Sequence, residues 1–223
     1  EETWAKVDRS AFMHSLTNGL RVELSKFRRG GDAEHFAFVG SIYPRRVETL
    51  AQAMEMARDR YPVRRSDVDA VTTLCVTNRC RVVINERLNS HWAPFDALYD
   101  KCDGNEASQD MRLWLGLILQ SATTDRKNLK NALRYRVMQL SEETTSLVRT
   151  NDEGEPVGEA FEIPTPDIPQ KLRLVYAITY DSCQARTLYG NVRLTQTSHP
   201  HMSLRRLIVG LGRAPSGTQL EVE

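Results

Sequence analysis

Apolar and polar positions repeat with two different periods along this chain. Up to about residue 110 the spacing is mostly helical. Residues 1–19 read as an amphipathic helix closed at Asn18-Gly19, and Glu48 to Arg60 sets Leu50, Met54 and Ala57 on one face before Tyr61-Pro62 stops it. Asp32 is placed to cap a helix containing Phe36, Phe38 and Val39. Leu20 to Leu24 alternates as a half-buried strand, and Val71 to Val76 is β-branched and continuously apolar enough for a buried parallel strand. Asn78 then opens a helix through Arg81, Asn85 and Leu88, completing a βα unit.

The period changes at Met111. Leu113–Leu119, Leu133–Leu140 and Ser146–Arg149 read as short strands, separated by polar turns at Asp125–Asn131 and Asn151–Glu155. This predicts a small β-barrel inserted in an α/β scaffold, with Pro164, Pro166 and Pro169 as the exit linker. Beyond it, Leu172–Tyr180 and Val192–Thr195 read as strands, and Asp181–Arg186 can start a helix. Leu207–Leu211 reads as a buried strand ending in a loop at Gly212-Arg213, and Leu220–Val222 as a closing strand. The expected divisions are 1–110, 111–165 and 166–223.

Composition narrows the picture only a little. The 223 residues suffice for one large domain or two small ones, with 40% hydrophobic and 26% charged content typical of a globular protein. Lys and Arg outnumber Asp and Glu by 30 to 29, so the total charge points to no partner. Local basic faces are still available in the pairs Arg28-Arg29, Arg45-Arg46, Arg64-Arg65 and Arg205-Arg206. No apolar run approaches the roughly 18–20 residues of a membrane span, so no membrane partner is expected. The four cysteines form no CxxC pair, which fits reduced thiols in an intracellular protein of nucleus or cytoplasm. His199 and His201 lack nearby Cys or carboxylate companions, so no metal site is expected there. The opening on Glu1-Glu2-Thr3-Trp4, without methionine, leads us to expect a piece of a longer protein or a processed product.

Chemistry-bearing motifs are few. No Gly-Lys dipeptide occurs, so there is no phosphate loop, and Gly-x-Ser-x-Gly and His-Glu-x-x-His are absent. Arg213, at the end of its apolar run, is presented as a rigid guanidinium suited to a phosphate; an ordinary loop arginine is the plainer alternative.

Three segments taken in order resemble the second motor half of superfamily 1 helicases. Leu24-Ser25-Lys26-Phe27-Arg28-Arg29 resembles the segment in which an arginine five residues after a leucine reaches the ATP phosphates, which points to Arg29. Ala177-Ile178-Thr179-Tyr180-Asp181-Ser182-Cys183-Gln184-Ala185-Arg186-Thr187 is similar to Ala-x-Thr-x-His-Lys-Ser-Gln-Gly-x-Thr, agreeing at Thr179, Gln184 and Thr187. Leu207 to Ala214 resembles Leu-Tyr-Val-Ala-Leu-Ser-Arg-Ala, with Arg213 at the arginine-finger position. Weaker similarities, as in helicases of large DNA viruses, involve Leu74–Arg79 with Arg81 and Asn85. The stretches Leu113–Leu117 and Leu129–Val137 resemble the small SH3-like barrel of some of these helicases, with Ala132 where a turn glycine is usual. Departures are Asp181 and Ser182 for His-Lys, Ala185 for glycine and Gly212 for serine.

The resemblance implies a RecA-like α/β lobe of an ATP-dependent DNA helicase. Arg213 and Arg29 would act on ATP, with Gln184 beside the nucleotide. Thr77, Asn78, Arg79, Thr179 and Thr187 would touch the backbone of single-stranded DNA, with RNA as the alternative. ATP and Mg2+ would be held mainly by an N-terminal RecA-like lobe of the same protein. The other reading is an inactive helicase-derived lobe that binds nucleic acid or a protein.

Overall fold

The computed structural model describes residues 10–11, 15, 30–43, 49–101, 109–125, 128–184 and 186–223. The expected elements at Leu20–Leu24 and over most of residues 1–19 lie outside these, as do Arg28 and Arg29.

A parallel sheet with helices carries one of two cores. Its four strands, β1 (Thr72–Cys75), β9 (Ala177–Thr179), β10 (Val192–Leu194) and β11 (Leu220–Val222), lie in the order β11-β10-β1-β9, all parallel. Every residue of these four strands is buried, as parallel strands covered on both faces require. Helices α1 (Ala33–Ser41), α2 (Leu50–Arg60), α3 (Asn78–Trp92) and α5 (Leu204–Leu211) accompany the sheet, with the short α4 (Ile168–Lys171) elsewhere. Asp32 caps α1 as the sequence reading expects, accepting from His35 N–H at 2.9 Å; the structure adds Thr49 and Thr77 as caps of α2 and α3.

The second core belongs to a five-stranded antiparallel sheet in the order β7-β6-β5-β4-β8, comprising β4 (Ile118–Ser121), β5 (Arg134–Leu140), β6 (Thr144–Arg149), β7 (Phe161–Pro164) and β8 (Leu172–Leu174). A separate hairpin pairs β2 (Leu98–Asp100) with β3 (Met111–Leu113). Met111, Leu113, Leu119, Tyr135, Val137, Leu147, Ile163, Ile168 and Leu172 form this core. Where a small barrel was expected, the described strands give this sheet with β7 and β8 at its edges.

Four local expectations are corrected. Leu113–Leu119 is not one strand: Gly116, at φ 88°, turns the chain between β3 and β4. The proline-rich stretch is not a linker, because Pro164 ends β7 and Ile168 and Pro169 are buried in α4. Leu172–Tyr180 is not one strand either: β8 pairs antiparallel with β4, and after Val175-Tyr176 the chain enters the parallel sheet as β9. The antiparallel sheet therefore takes a strand from beyond residue 165. Asp181–Gln184 forms a turn rather than a helix start.

The largest correction concerns Leu207–Leu211, which is helical. Ser203 caps α5 by accepting from Arg206 N–H at 3.3 Å, and Leu204, Leu207, Ile208 and Leu211 fall at helical spacing on its packed side. Gly210 is tolerated inside the helix because it is a contact point: a Cβ there would sit 2.9 Å from Tyr180 Cε1 and 3.1 Å from Leu194 Cδ2. A glycine that the sequence reading places inside a strand here lets the helix approach the sheet.

Candidate functional site

Strands β1, β9 and β10 end on the same edge of the parallel sheet, where α/β proteins usually bind ligands. Thr77, Asn78 and Arg79 follow β1; Thr179 ends β9, in register with Cys75. The fold thus brings together residues about a hundred positions apart.

Their side chains divide into presented and committed groups. Asn78 and Arg79 are exposed in the first turn of α3, where N–H groups and the helix dipole favour an anion. Asn78 Oδ1 also accepts from Arg81 Nε at 3.3 Å, and buried Arg81 reaches Gln109 Oε1 at 3.4 Å. Burial lowers the Arg81 pKa, and neighbouring Arg173 adds to this. Thr77 is half-buried, and its hydroxyl accepts from Cys80 N–H at 3.2 Å. Thr179 is buried, with its hydroxyl 2.8 Å from Ser182 Oγ and accepting from Ser182 N–H at 3.2 Å. Both threonines hold local turns.

Sequence reasoning missed Gln196. It follows β10 at φ 54°, unusual for a non-glycine residue, and its Oε1 accepts from Val76 N–H at 2.8 Å and Thr77 N–H at 3.0 Å. The main-chain donors beyond β1 are thereby occupied, and the start of α3 is fixed from the neighbouring strand.

Arg213 lies just past α5. Its Nε donates to Val209 O at 3.1 Å and its Nη1 to Arg186 O at 3.5 Å, while its own carbonyl accepts from Leu188 N–H at 2.9 Å. The guanidinium complements the negative end of α5 and ties the helix to the segment carrying Thr187, which is half-buried. Buried Cys183 lies close by. Burial pushes its thiol up to about 11, against the pull of Arg213 and Arg186, so it is protonated at neutral pH. Gln184 is exposed and lines two clefts, one with Asp181, Arg205 and Arg206, the other with Arg134 and Arg186. Asp181, where the helicase motif has a histidine, pairs with Arg206 at 2.8 Å.

The loop after Arg213 meets the chain after Arg29. A Cβ on Gly30 would overlap the Pro215 carbonyl, so only glycine permits this approach. Asp32 fastens the same junction by accepting from Ser216 Oγ and Gly217 N–H, each at 2.9 Å. Behind it His35 is buried between Tyr61 Oη at 2.8 Å and Leu211 O at 3.1 Å. The Leu211 carbonyl requires the proton on Nε2, leaving Nδ1 to accept from Tyr61.

No metal-ligating group of three or more His, Cys, Asp or Glu residues occurs among the described residues, and no helix among them is long and apolar enough to cross a membrane.

No protein-family model matches the sequence, and neither does any curated protein. Solved structures do match. A Pif1 helicase structure concerned with DNA unwinding at forked duplex DNA by two coordinating helicases superposes with TM-score 0.62 at 16% identity, over 90% of this chain and 49% of that one. Pif1 from Bacteroides in complex with ADP-AlF3 and ssDNA gives 0.60 at 17%, over 91% and 51%. Pif1 from Candida albicans gives 0.58 at 14%, over 95% and 59%. The fold is that of a RecA-like helicase domain. The chain spans about half to three-fifths of the length of these helicases.

Proposed function

We propose that this chain is the second RecA-like lobe of an ATP-dependent helicase, carrying its antiparallel sheet as an SH3-like insert, and that it works on single-stranded nucleic acid, DNA in the first instance. The Gly30–Pro215 approach carries the reading. It sets Gly30, the residue after Arg29, against Pro215, two residues after Arg213, and in this reading both arginines serve the charge spreading over a γ-phosphoryl group. Arg29 lies outside the described residues. The Pif1 likeness supports the same reading, since the Bacteroides protein was captured with both ADP-AlF3 and ssDNA.

In this reading Asn78 and Arg79 receive a backbone phosphate, a contact that positions without reading sequence. Thr77, Thr179 and Thr187 shape that edge, and Gln184 stands between it and the nucleotide. ATP and Mg2+ belong mainly to an N-terminal RecA-like lobe.

The experiment is Arg213→Ala in the complete open reading frame. Nucleic-acid-stimulated ATP turnover should fall roughly 10³-fold or more, with nucleotide affinity kept within a few-fold. Unchanged turnover would sink the assignment.

A second reading is an inactive helicase-derived binding module, favoured by the Asp181–Arg206 pair, which places an acid where the motif has His-Lys. It predicts strand binding with no ATP turnover in the complete protein.

A further inference from the structure

A cleft of about 460 Å³ separates the antiparallel sheet from the turn after β9, lined by Arg134, Arg149, Thr150, Asp152, Gln184 and Arg186 among others. Alternation along β5 sends Tyr135 and Val137 into the core and leaves Arg134 and Arg136 on the opposite face. Arg136 does not line the cleft; its Nη2 donates to Gly154 O at 2.7 Å, while its Nε, like that of Arg134, has no partner among the described residues. Arg134 Nε is shut off from solvent and has no hydrogen-bond partner among the described residues. Thr150, only 5% exposed, also leaves Oγ1 unpartnered, while its N–H donates to Arg134 O at 2.9 Å. Arg186 closes the opposite wall, donating from Nη1 to Gln120 Oε1 at 3.0 Å and from Nη2 to Ala132 O.

The electrostatics are unbalanced. Three guanidinium groups face one carboxylate, Asp152. Burial lowers the pKa of Arg134, and Arg186 lowers it further against the pull of Asp152; burial also lowers that of Arg186. Half-buried guanidinium groups that outnumber the carboxylates around them are costly to leave without a counter-ion. A tetrahedral oxyanion supplies charge and acceptors together, and guanidinium forks match it geometrically. The cleft exceeds a lone carboxylate and has room for a sugar–phosphate unit.

We propose that this cleft binds a phosphoryl group, carried either by a single-stranded backbone or by the free anion. Only the first source rests on the proposed function.

The test follows thermal unfolding of the full chain with inorganic phosphate or a short oligothymidylate, using Arg134→Met and the same-face control Arg136→Met. One or both ligands should raise the wild-type Tm, as any ligand selective for the folded state does. Arg134→Met should match or exceed the wild-type Tm in phosphate-free buffer, because it removes a half-buried cation whose Nε has no hydrogen-bond partner, and should lose the ligand-dependent rise. Arg136→Met should keep that rise.

A rise with inorganic phosphate identifies the free anion as sufficient, and a rise with oligothymidylate alone identifies the phosphodiester. In the latter case Arg134→Met should weaken oligonucleotide binding about tenfold and flatten the log–log salt slope by about 0.7. No rise with either ligand overturns the proposal, as does an Arg134→Met protein less stable than wild type or still responsive. Failure of oligonucleotide binding with a retained phosphate response would count against the helicase reading and not against the cleft.

Discussion

Asn85 grips both main-chain polar groups of Ala177: its Oδ1 accepts from the Ala177 N–H at 2.7 Å, and its Nδ2 donates to the Ala177 carbonyl at 3.1 Å. Nδ2 also lies 3.3 Å from Leu174 O, at the end of β8. One side chain on α3 therefore spans the point where the chain passes from the antiparallel to the parallel sheet. One turn later Asn89 does the same for the β2–β3 hairpin, donating to Arg112 O at 2.9 Å and accepting from its N–H at 2.7 Å.

Asn85→Ala should therefore destabilise the protein by about 2–4 kcal/mol, since it strands several buried main-chain groups at once. Urea unfolding checks this; a change below about 0.5 kcal/mol means the clamp is not needed.

Gln196→Ala should loosen the start of α3 by releasing the Val76 and Thr77 N–H groups. The prediction is weaker single-strand binding, by about tenfold, with global stability lowered by about 1–2 kcal/mol. Anisotropy titrations beside Arg79→Ala are informative: if both variants act on one contact, the double variant should be little worse than Arg79→Ala alone.

His35 sets a pH dependence near neutrality. Burial lowers its pKa, outweighing the Leu211 carbonyl and Asp32, so the folded state holds it neutral. The unfolded state binds the proton first, at about pH 6.5, so stability is full above that pH and declines as pH falls from there towards the lower folded pKa. Tm measured from pH 7.5 to 5 should fall, and His35→Gln should flatten the profile, whatever it does to Tm at pH 7.5.

Glu221 and Arg193 are opposed across β10 and β11, 2.6 Å apart and almost fully buried. Glu221 also accepts from Arg64 and Arg65 N–H groups. Burial by itself raises the Glu221 pKa, but Arg193 and the Arg64 N–H outweigh it and the net shift is downward. The contribution is thus present above the unfolded carboxylate pKa and is lost as pH falls through the folded one. Glu221→Gln should cost about 3–5 kcal/mol at pH 7 by leaving Arg193 without its counter-charge. The difference from wild type should narrow in acid, as followed by circular dichroism.

Much of the fold is visible in the order of residues. Asp32 and the β-branched run at Val71–Val76 announce a cap and a buried strand because each is a local preference of side chain for backbone. The α/β class and the alternation of β5 and β6 follow from the same short-range periods. The stripe Leu204, Leu207, Ile208 and Leu211 was also legible, but Gly210 and Gly212 hid it, since glycine is punctuation in a sequence and a packing solution in a structure. Asn85 and Asn89 lie with Arg81 and Leu88 on the buried face of α3, and their clamping role emerges only with the main-chain groups they hold.

Other features depend on contacts between residues far apart in the chain, which no local period encodes. The division of Leu172–Thr179 between two sheets requires β4 on one side and β1 on the other. Gly30 is needed because Pro215 stands against it, and Gln196 reaches across to hold Val76, 120 residues earlier and just past the end of β1. The Arg213 segment was recognisable in sequence as a helicase-like motif, yet the geometry of its arginine is a tertiary result: a guanidinium at the end of a helix, laid on carbonyls of Val209 and Arg186, instead of one extending from a strand.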